Sequence, residues 1–238
     1  MPEDRAPPWA INPPNVHTAL GTYVDLHPTT IIKKDTKARK MSIPEDSDPI
    51  HLFNEWFAEA RTCGLIAEPL AMTLATVDEH GMPWPRTVLL KEVSDLGFTF
   101  FTNLNSTKAQ QLQHSPKASL CFHWMPLDKQ VRILGEAALV SDEEADAYFS
   151  TRDRESQIGA WASLQSEPLD TREDLVQRVE RYTKEFEGQE VPRPDFWSGY
   201  RLVPELIEFW LRAPSRLHHR RVYRRKSGGA WSSNLLYP

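Results

Sequence analysis

Residues 85–139 read PRTVLLKEVSDLGFTFFTNLNSTKAQQLQHSPKASLCFHWMPLDKQVRILGEAAL. Val88, Leu89 and Leu90 lie between Arg86 and Lys91, and residues 98–102 are FTFFT. Both runs are dense in branched and aromatic side chains that suit a pleated, half-buried surface, so both predict strands. Ser94, Asp95, Leu96 and Gly97 predict the turn that joins them. Two further strands are expected at 117–124 and 130–139. Upstream, AMTLATV (71–77) predicts another, and the polar residues 78–81 return it as a hairpin into 85–91. Strands in succession, joined by short turns without long helices between them, predict an antiparallel sheet closed into a small barrel. The apolar pattern is broken at Arg86, Lys91, Thr102, Ser106, Lys108 and Gln130, which places a candidate site on the same stretch. Residues 103–108 form a polar loop that ends on a lysine at the start of a short helical run, 109–113. Backbone N–H groups and an ammonium together favour an anion there.

The chain has 238 residues, 40% hydrophobic and 26% charged, ordinary for a globular protein with one good-sized core. Its 28 Lys and Arg against 33 Asp and Glu give a net charge of -5, which argues against a protein that coats nucleic acid. No apolar targeting segment precedes Glu3 and Asp4, so a cytoplasmic protein without membrane attachment is expected. Cys63 and Cys121 cannot make a disulfide framework, have no metal-ligand spacing, and read as buried free thiols. Residues 1–48 are rich in Pro and charge, with a basic run at 33–40, and are expected to be disordered; residues 49–238 are expected to form a single domain.

Helix signals flank the strands. Asp48 and Pro49 start a helix whose Leu52, Phe53, Trp56, Phe57 and Ala60 share one face, and Gly64 stops it. Ser141 with Glu144 is a capping box, and the helix it opens puts Tyr148 and Arg152 at i and i+4, with Ser156 a turn further on. A third helix is expected over 171–186, with strands at 200–212, 217–225 and 230–236. In RLHHRRVYRRK (216–226), period two puts Arg216, His218 and Arg220 on one strand face, although a solvated edge strand would carry the same charges. The sequence has neither a G-x-G-x-x-G nor a P-loop pattern. A phosphate would therefore be held by Arg and Lys side chains, drawn from Arg86, Lys91, Lys108, Arg152, Arg216 and Arg220.

Together RTVLLK (86–91), FFTN with STKA (100–109), KQVRILG (129–135), QIGAW (157–161), LQS (164–166), FWSGYRL (196–202), IEFW (207–210) and RLH with Arg220 resemble the pyridoxine/pyridoxamine 5'-phosphate oxidase family. The likeness spans roughly residues 50 to 238, in one order throughout. It implies an α+β, mainly β, FMN-binding split β-barrel of antiparallel strands with flanking helices. It also implies a homodimer that holds FMN in clefts between subunits.

The resemblance implies roles by position. Arg86, Thr87, Val88, Leu89, Leu90 and Lys91 match the strand that lines FMN, and Phe101 and Thr102 the next contact pair. Ser106, Thr107 and Lys108 match the run at the FMN phosphate. Gln130, Gln165, Ser166, Trp210 and Arg220 match further flavin contacts. Lys91, Tyr148, Arg152 and Ser156 match the pocket for the substrate phosphate, and Arg216, Leu217 and His218 the segment beside the substrate ring, with Arg216 and His218 as catalytic candidates. The implied reaction is oxidation of a phosphorylated B6 vitamer at C4' by O2 to pyridoxal 5'-phosphate, with release of peroxide. Two positions depart from the family pattern inside these motifs: Thr107 stands where it has Arg, and His219 where it has Asp. The chain ends Leu236-Tyr237-Pro238 instead of R-L-A-P, and residues 37–41 lack the tyrosine of the family's N-terminal lid. The alternative is a non-catalytic split-barrel carrier or sensor of FMN or pyridoxal phosphate.

Overall fold

One nine-stranded antiparallel sheet organises a computed structural model that describes residues 42–238. Its strands are β1 (Ala71–Val77), β2 (Pro83–Leu89), β3 (Glu92–Ser94), β4 (Gly97–Asn103), β5 (Lys117–Trp124), β6 (Lys129–Leu139), β7 (Trp197–Leu211), β8 (His219–Arg225) and β9 (Trp231–Leu236). The hydrogen-bonded order is β2-β1-β5-β6-β7-β4-β3, with β8 on β7 and β9 on β8. The two ends of that order, β2 and β3, are separated in the chain by Leu90 and Lys91 alone. Leu90 N–H donates to Leu70 O and Lys91 N–H to Thr99 O, both at 2.9 Å, so one dipeptide bridges the two edges and the sheet must curl until they meet. The expected split barrel is thus present. One connection differs: the turn at 94–97 joins β3, not β2, to β4, because β2 spends its hydrogen bonds on β1.

β7 explains the split. Its first part, Trp197 to Leu202, pairs with β4, and its last part, Leu206 to Leu211, pairs with β8 on the same edge, while β6 runs along the other. Between the two parts lies Pro204, which has no N–H to offer a ladder. Opposite it β6 shifts register between Leu134 and Gly135. A Cβ on Gly135 would come within 2.0 Å of Val203 O, so the bulge closes only around a glycine.

Five helices flank the sheet: α1 (Pro49–Thr62), α2 (Thr107–His114), α3 (Asp142–Ser150), α4 (Arg154–Ala162) and α5 (Arg172–Glu185). Asp48 caps α1 by accepting from Ile50 N at 2.8 Å and His51 N at 3.1 Å. The apolar face of α1 packs on the barrel core: Phe53 meets Phe98 of β4 and Phe122 of β5 edge-on at 4.9 and 5.1 Å, and Trp56 meets Phe209 of β7 at 5.1 Å. A smaller core of Phe149, Ile158, Phe186, Val191 and Trp197 ties α3, α4 and the end of α5 to the start of β7.

Of the segment expected to be disordered, residues 1–41 lie outside the described residues. Residues 42–48 are held on the barrel: Ile43 is buried, Tyr223 donates its hydroxyl to Pro44 O, and Ser233 Oγ donates to Glu45 O at 3.0 Å. Cys63 and Cys121 are free thiols, half-buried instead of fully buried, with burial raising the Cys121 thiol. Among the described residues no helix is long and apolar enough to cross a membrane.

Phe53 is fully buried between the helix and two strands, so Phe53→Ala leaves a cavity that rigid barrel walls cannot fill. It is expected to cost about 3–5 kcal/mol in urea denaturation. Leu65→Ala, at a side chain 75% exposed, should change stability by less than about 0.5 kcal/mol. Equal losses in the two variants would show that α1 is not a wall of the core.

Candidate functional site

The seam where the barrel closes carries a cleft of about 710 Å³. One wall is β2 and the closing dipeptide (Thr87, Val88, Leu89, Lys91), the next is β4 (Phe101, Thr102, Asn103), and Lys108 at the start of α2 closes one end. Tyr148, Arg152, Asp153 and Ser156 form the other end, with Ser163 and Gln165 along the rim and Trp197 beneath. Its volume is that of a site for a cofactor-sized ligand.

Lys108 is embedded in acceptors. Its Nζ donates to Gln165 Oε1 at 2.8 Å, Thr102 Oγ1 at 3.1 Å and Ser106 Oγ at 3.2 Å. Ser166, at a positive φ of 76°, accepts from Thr107 N–H at 3.2 Å and pins the rim to the helix start. Behind Lys108, Arg86 Nη2 donates to Gln111 Oε1 at 3.0 Å, and its Nη1 donates to Thr76 Oγ1, which in turn donates to Gln111 Oε1. Thr76 and Gln111 are buried, so this guanidinium is fixed. Burial lowers Arg86, and burial first, then the Arg86 charge, push Lys108 down to about 8. Two cations crowded out of water, with no carboxylate bonded to either among the described residues, make a site that favours an added anion.

The far end is built differently. α3 stops at Ser150 and α4 restarts at Arg154, with Asp153 capping α4 by accepting from Ser156 N–H at 2.7 Å. The expectation that Tyr148 and Arg152 share one helix face is therefore corrected. The break at 151–153 turns the chain, and the turn brings Tyr148, Arg152 and Ser156 to one cleft. The Arg152 guanidinium lies over Trp197 at 4.8 Å and Phe149 at 5.4 Å, which fixes its plane. Its Nη1 is buried without a hydrogen-bond partner among the described residues, and burial lowers its pKa. Tyr148 stacks on Phe101 at 4.1 Å, and Lys91 Nζ sits 6.0 Å from the Tyr148 ring.

The other expected site residues form a second cluster. Gln130 and Trp210 are paired across β6 and β7, and Arg220 faces Trp210 from β8. Arg216 and His218 precede β8, so the expectation that Arg216, His218 and Arg220 share one strand face is also corrected. Ser215 and Arg216 have φ of 55° and 60°, left-handed values inside the short turn Pro214–Arg216 that an extended strand does not adopt. The turn still presents His218 to Trp210 at 4.6 Å, and His218 Nδ1 accepts from Ala213 N–H at 3.2 Å, which leaves the proton of the neutral ring on Nε2. Arg216 and Leu217 are exposed. Trp210 is thirteen residues from Trp197, so at ~3.3 Å per residue roughly 40 Å of strand path separates this cluster from the cleft. Leu90 lies in the core and lines neither.

Sequence reading missed Thr76, Gln111 and Trp197, which hold Arg86 and Arg152. It also missed Asp153, whose spacing to Ser156 is that of a helix cap.

The family described as pyridoxamine 5'-phosphate oxidase matches residues 59–185, and the pyridoxine 5'-phosphate oxidase C-terminal dimerisation region matches residues 197–238. A pyridoxine/pyridoxamine 5'-phosphate oxidase of Myxococcus xanthus is 51% identical over 191 residues, covering 80% of this chain and 92% of its own. One from a Chelativorans species is 47% identical over 209 residues, covering 88% and 99%. Among solved structures, PhzG of Burkholderia lata in complex with tetrahydrophenazine-1-carboxylic acid superposes with a TM-score of 0.76 at 32% identity, covering 81% of this chain and 93% of that one. A pyridoxamine 5'-phosphate oxidase-related, FMN-binding protein of Nostoc punctiforme shares the fold, with a TM-score of 0.66 at 18% identity and coverage of 81% and 99%.

Lys108 gives the ligand-free protein a pH signature. Its folded value is about 8 and a free lysine titrates near ~10.4, so between these the unfolded chain holds a proton that the folded one has lost. The cost of burying the charge is present in full below pH ~8 and fades as pH rises toward ~10.4. Wild type should therefore gain stability relative to Lys108→Met between pH ~7.5 and ~10 in urea denaturation. A constant difference across that range would mean that Lys108 is solvated like a surface lysine.

Proposed function

Since the chain belongs to the pyridoxine/pyridoxamine 5'-phosphate oxidase family, we propose that it oxidises pyridoxine 5'-phosphate and pyridoxamine 5'-phosphate to pyridoxal 5'-phosphate with O2, using FMN and working as a cytoplasmic homodimer. One observation carries the reading: a single cleft is lined by two sets of cationic groups, Lys108 with Arg86 behind it, and Arg152 with Tyr148 and Ser156. A phosphorylated cofactor beside a phosphorylated substrate needs two such sets. A carrier or sensor of one phosphate needs only one.

The residues fit FMN. The Lys108 end offers an ammonium beside the fixed Arg86 guanidinium, the hydroxyls of Thr102 and Ser106, and the start of a helix, a donor set for a phosphate. Thr87, Val88 and Leu89 give a strand wall along which a flat ring can lie. Thr87 to Leu89, Thr102, Ser106 and Lys108 would hold FMN, which would supply the two-electron redox chemistry between substrate C4' and O2. Arg152, with its unsatisfied Nη1 and a plane fixed by Trp197, takes the substrate phosphate, and Tyr148, Ser156 and Lys91 complete that clamp. Holding the phosphate fixes where C4' lies, so the clamp supplies orientation instead of acid or base.

The second cluster belongs to the same reaction through the partner protomer. Trp210, Arg216, Leu217, His218 and Arg220 all fall in the segment that matches the dimerisation region. One chain holds them away from its own cleft, and a two-fold partner can bring its copy there. Arg216 and the Nε2–H of His218 then hold the substrate ring and its substituents against the flavin.

The test is to purify the protein with FMN, supply pyridoxamine 5'-phosphate in air, and follow aldehyde and peroxide together. Equal amounts of both are expected, from a dimer. A dimer that binds FMN and forms neither product would support the carrier reading. Arg152→Met should raise KM for the B6 phosphate about ten- to a hundredfold, the loss of a charge-assisted bond, with FMN affinity within about twofold of wild type. A matching loss of FMN affinity would put Arg152 at the cofactor end instead.

A further inference from the structure

The outer face of β6, β7 and β8 buries a carboxylate that none of the roles above uses. Glu208 lies between two arginines, with only 4% of its side chain exposed. Arg220 Nε donates to its Oε1 at 2.8 Å, and Arg132, directly opposite on β6, donates to its Oε2. Arg220 Nη1 donates to Tyr237 O at 2.8 Å. Two of the three Arg220 nitrogens are thus committed, and Nη2 has no partner among the described residues. Burial alone would raise the Glu208 carboxyl, but the bonds from Arg220 and Arg132 outweigh it and hold the group below the usual carboxylate range.

A buried ion pair is a weak source of net stability, because desolvating the charges offsets their attraction. It is a good way to fix a long side chain. With Nε and Nη1 tied down, the Arg220 guanidinium is restrained, and Arg220 is the register partner of Trp210, itself paired with Gln130, so the three lie in one row across β8, β7 and β6. Two guanidinium groups against one carboxylate also leave a net positive charge on this face.

We propose that Glu208 is the positioning residue for Arg220, holding its guanidinium so that Nη2 meets the flavin bound in the other protomer's cleft. The proposal rests on the FMN reading above.

FMN titration by fluorescence quenching, with thermal melting of the ligand-free dimer alongside, tests it. Glu208→Gln keeps the size and an acceptor for Arg220 Nε but loses the charge, and Glu208→Asp keeps the charge and withdraws it by one methylene. Both should weaken FMN about tenfold. Arg220→Ala should weaken it by a similar factor, and Glu208→Asp combined with Arg220→Ala should be no worse than Arg220→Ala alone, because the two groups act as one unit. Glu208→Asp should melt within a few degrees of wild type, which separates aim from stability. FMN affinity within twofold of wild type in both Glu208 variants would overturn the proposal, as would additive losses in the double variant. If neither Glu208 variant folds, Glu208 serves stability and the proposal also falls. Wild-type dimer that binds no FMN would instead remove the cofactor reading on which it stands.

Discussion

The structure depends on a covalent join of two residues. Leu90 and Lys91 carry the chain from the β2 edge of the sheet to the β3 edge, and their N–H groups bond to opposite sides of the seam. The barrel therefore cannot open without breaking both ladders, and β2 is forced to lie beside β4. That juxtaposition makes the cleft. Thr87 to Leu89 come from one side of the seam, Phe101 to Asn103 from the other, and Lys91 from the join itself. The site residues at 86–91 and 101–108 are close in sequence, yet they meet because the sheet closes, not because a hairpin pairs them.

The cleft is held open at an electrostatic cost. Arg86, Lys108 and Arg152 are each lowered by burial, so folding disfavours the charged form of each. Each is instead fixed by uncharged partners: Thr76 and Gln111 for Arg86, Gln165 and two hydroxyls for Lys108, the Trp197 ring for Arg152. A carboxylate partner would relieve the cost and fill the place of an anionic ligand. Surface pairs elsewhere follow the opposite rule. Arg193 bonds Asp142 and Asp146, and Arg201 bonds Glu92 and Glu144, and both are raised above the usual arginine value as a result. Within the cleft wall the cations are left without carboxylate partners among the described residues, which is where an anionic ligand would relieve the cost.

Much of this was legible in the sequence. Runs of branched and aromatic residues between turn signals marked the strands, Asp48 and Ser141 marked helix starts, and the interruptions at Lys91, Thr102 and Lys108 fall on the cleft wall. Where reading failed, a local signal had been outweighed by an assumed continuity. Asp153 with Ser156 announced a new helix, but the i to i+4 spacing of Tyr148 and Arg152 suggested an unbroken one. Pro214 announced a turn, but the alternation of residues 216–220 suggested a strand. Thr76, Gln111 and Trp197 could not have been found this way, since nothing in their own neighbourhoods differs from ordinary core and strand positions. Their importance arises only when distant strands bring them under a guanidinium.

The departure at Thr107 has a consequence that the fold makes specific. An arginine there would offer a second forked donor at the helix start, whereas Thr107 bonds the rim through its backbone N–H to Ser166. The charge of a bound phosphate then falls on Lys108 and Arg86, the two groups that burial already disfavours as cations. A dianion beside them reverses that penalty by restoring the preference for the charged forms. Affinity at this end is therefore tied to the protonation of a lysine near 8, where an arginine-rich loop would be insensitive to pH. The Lys108 end of the cleft is in this way more responsive to pH than the Arg152 end, whose guanidinium stays charged.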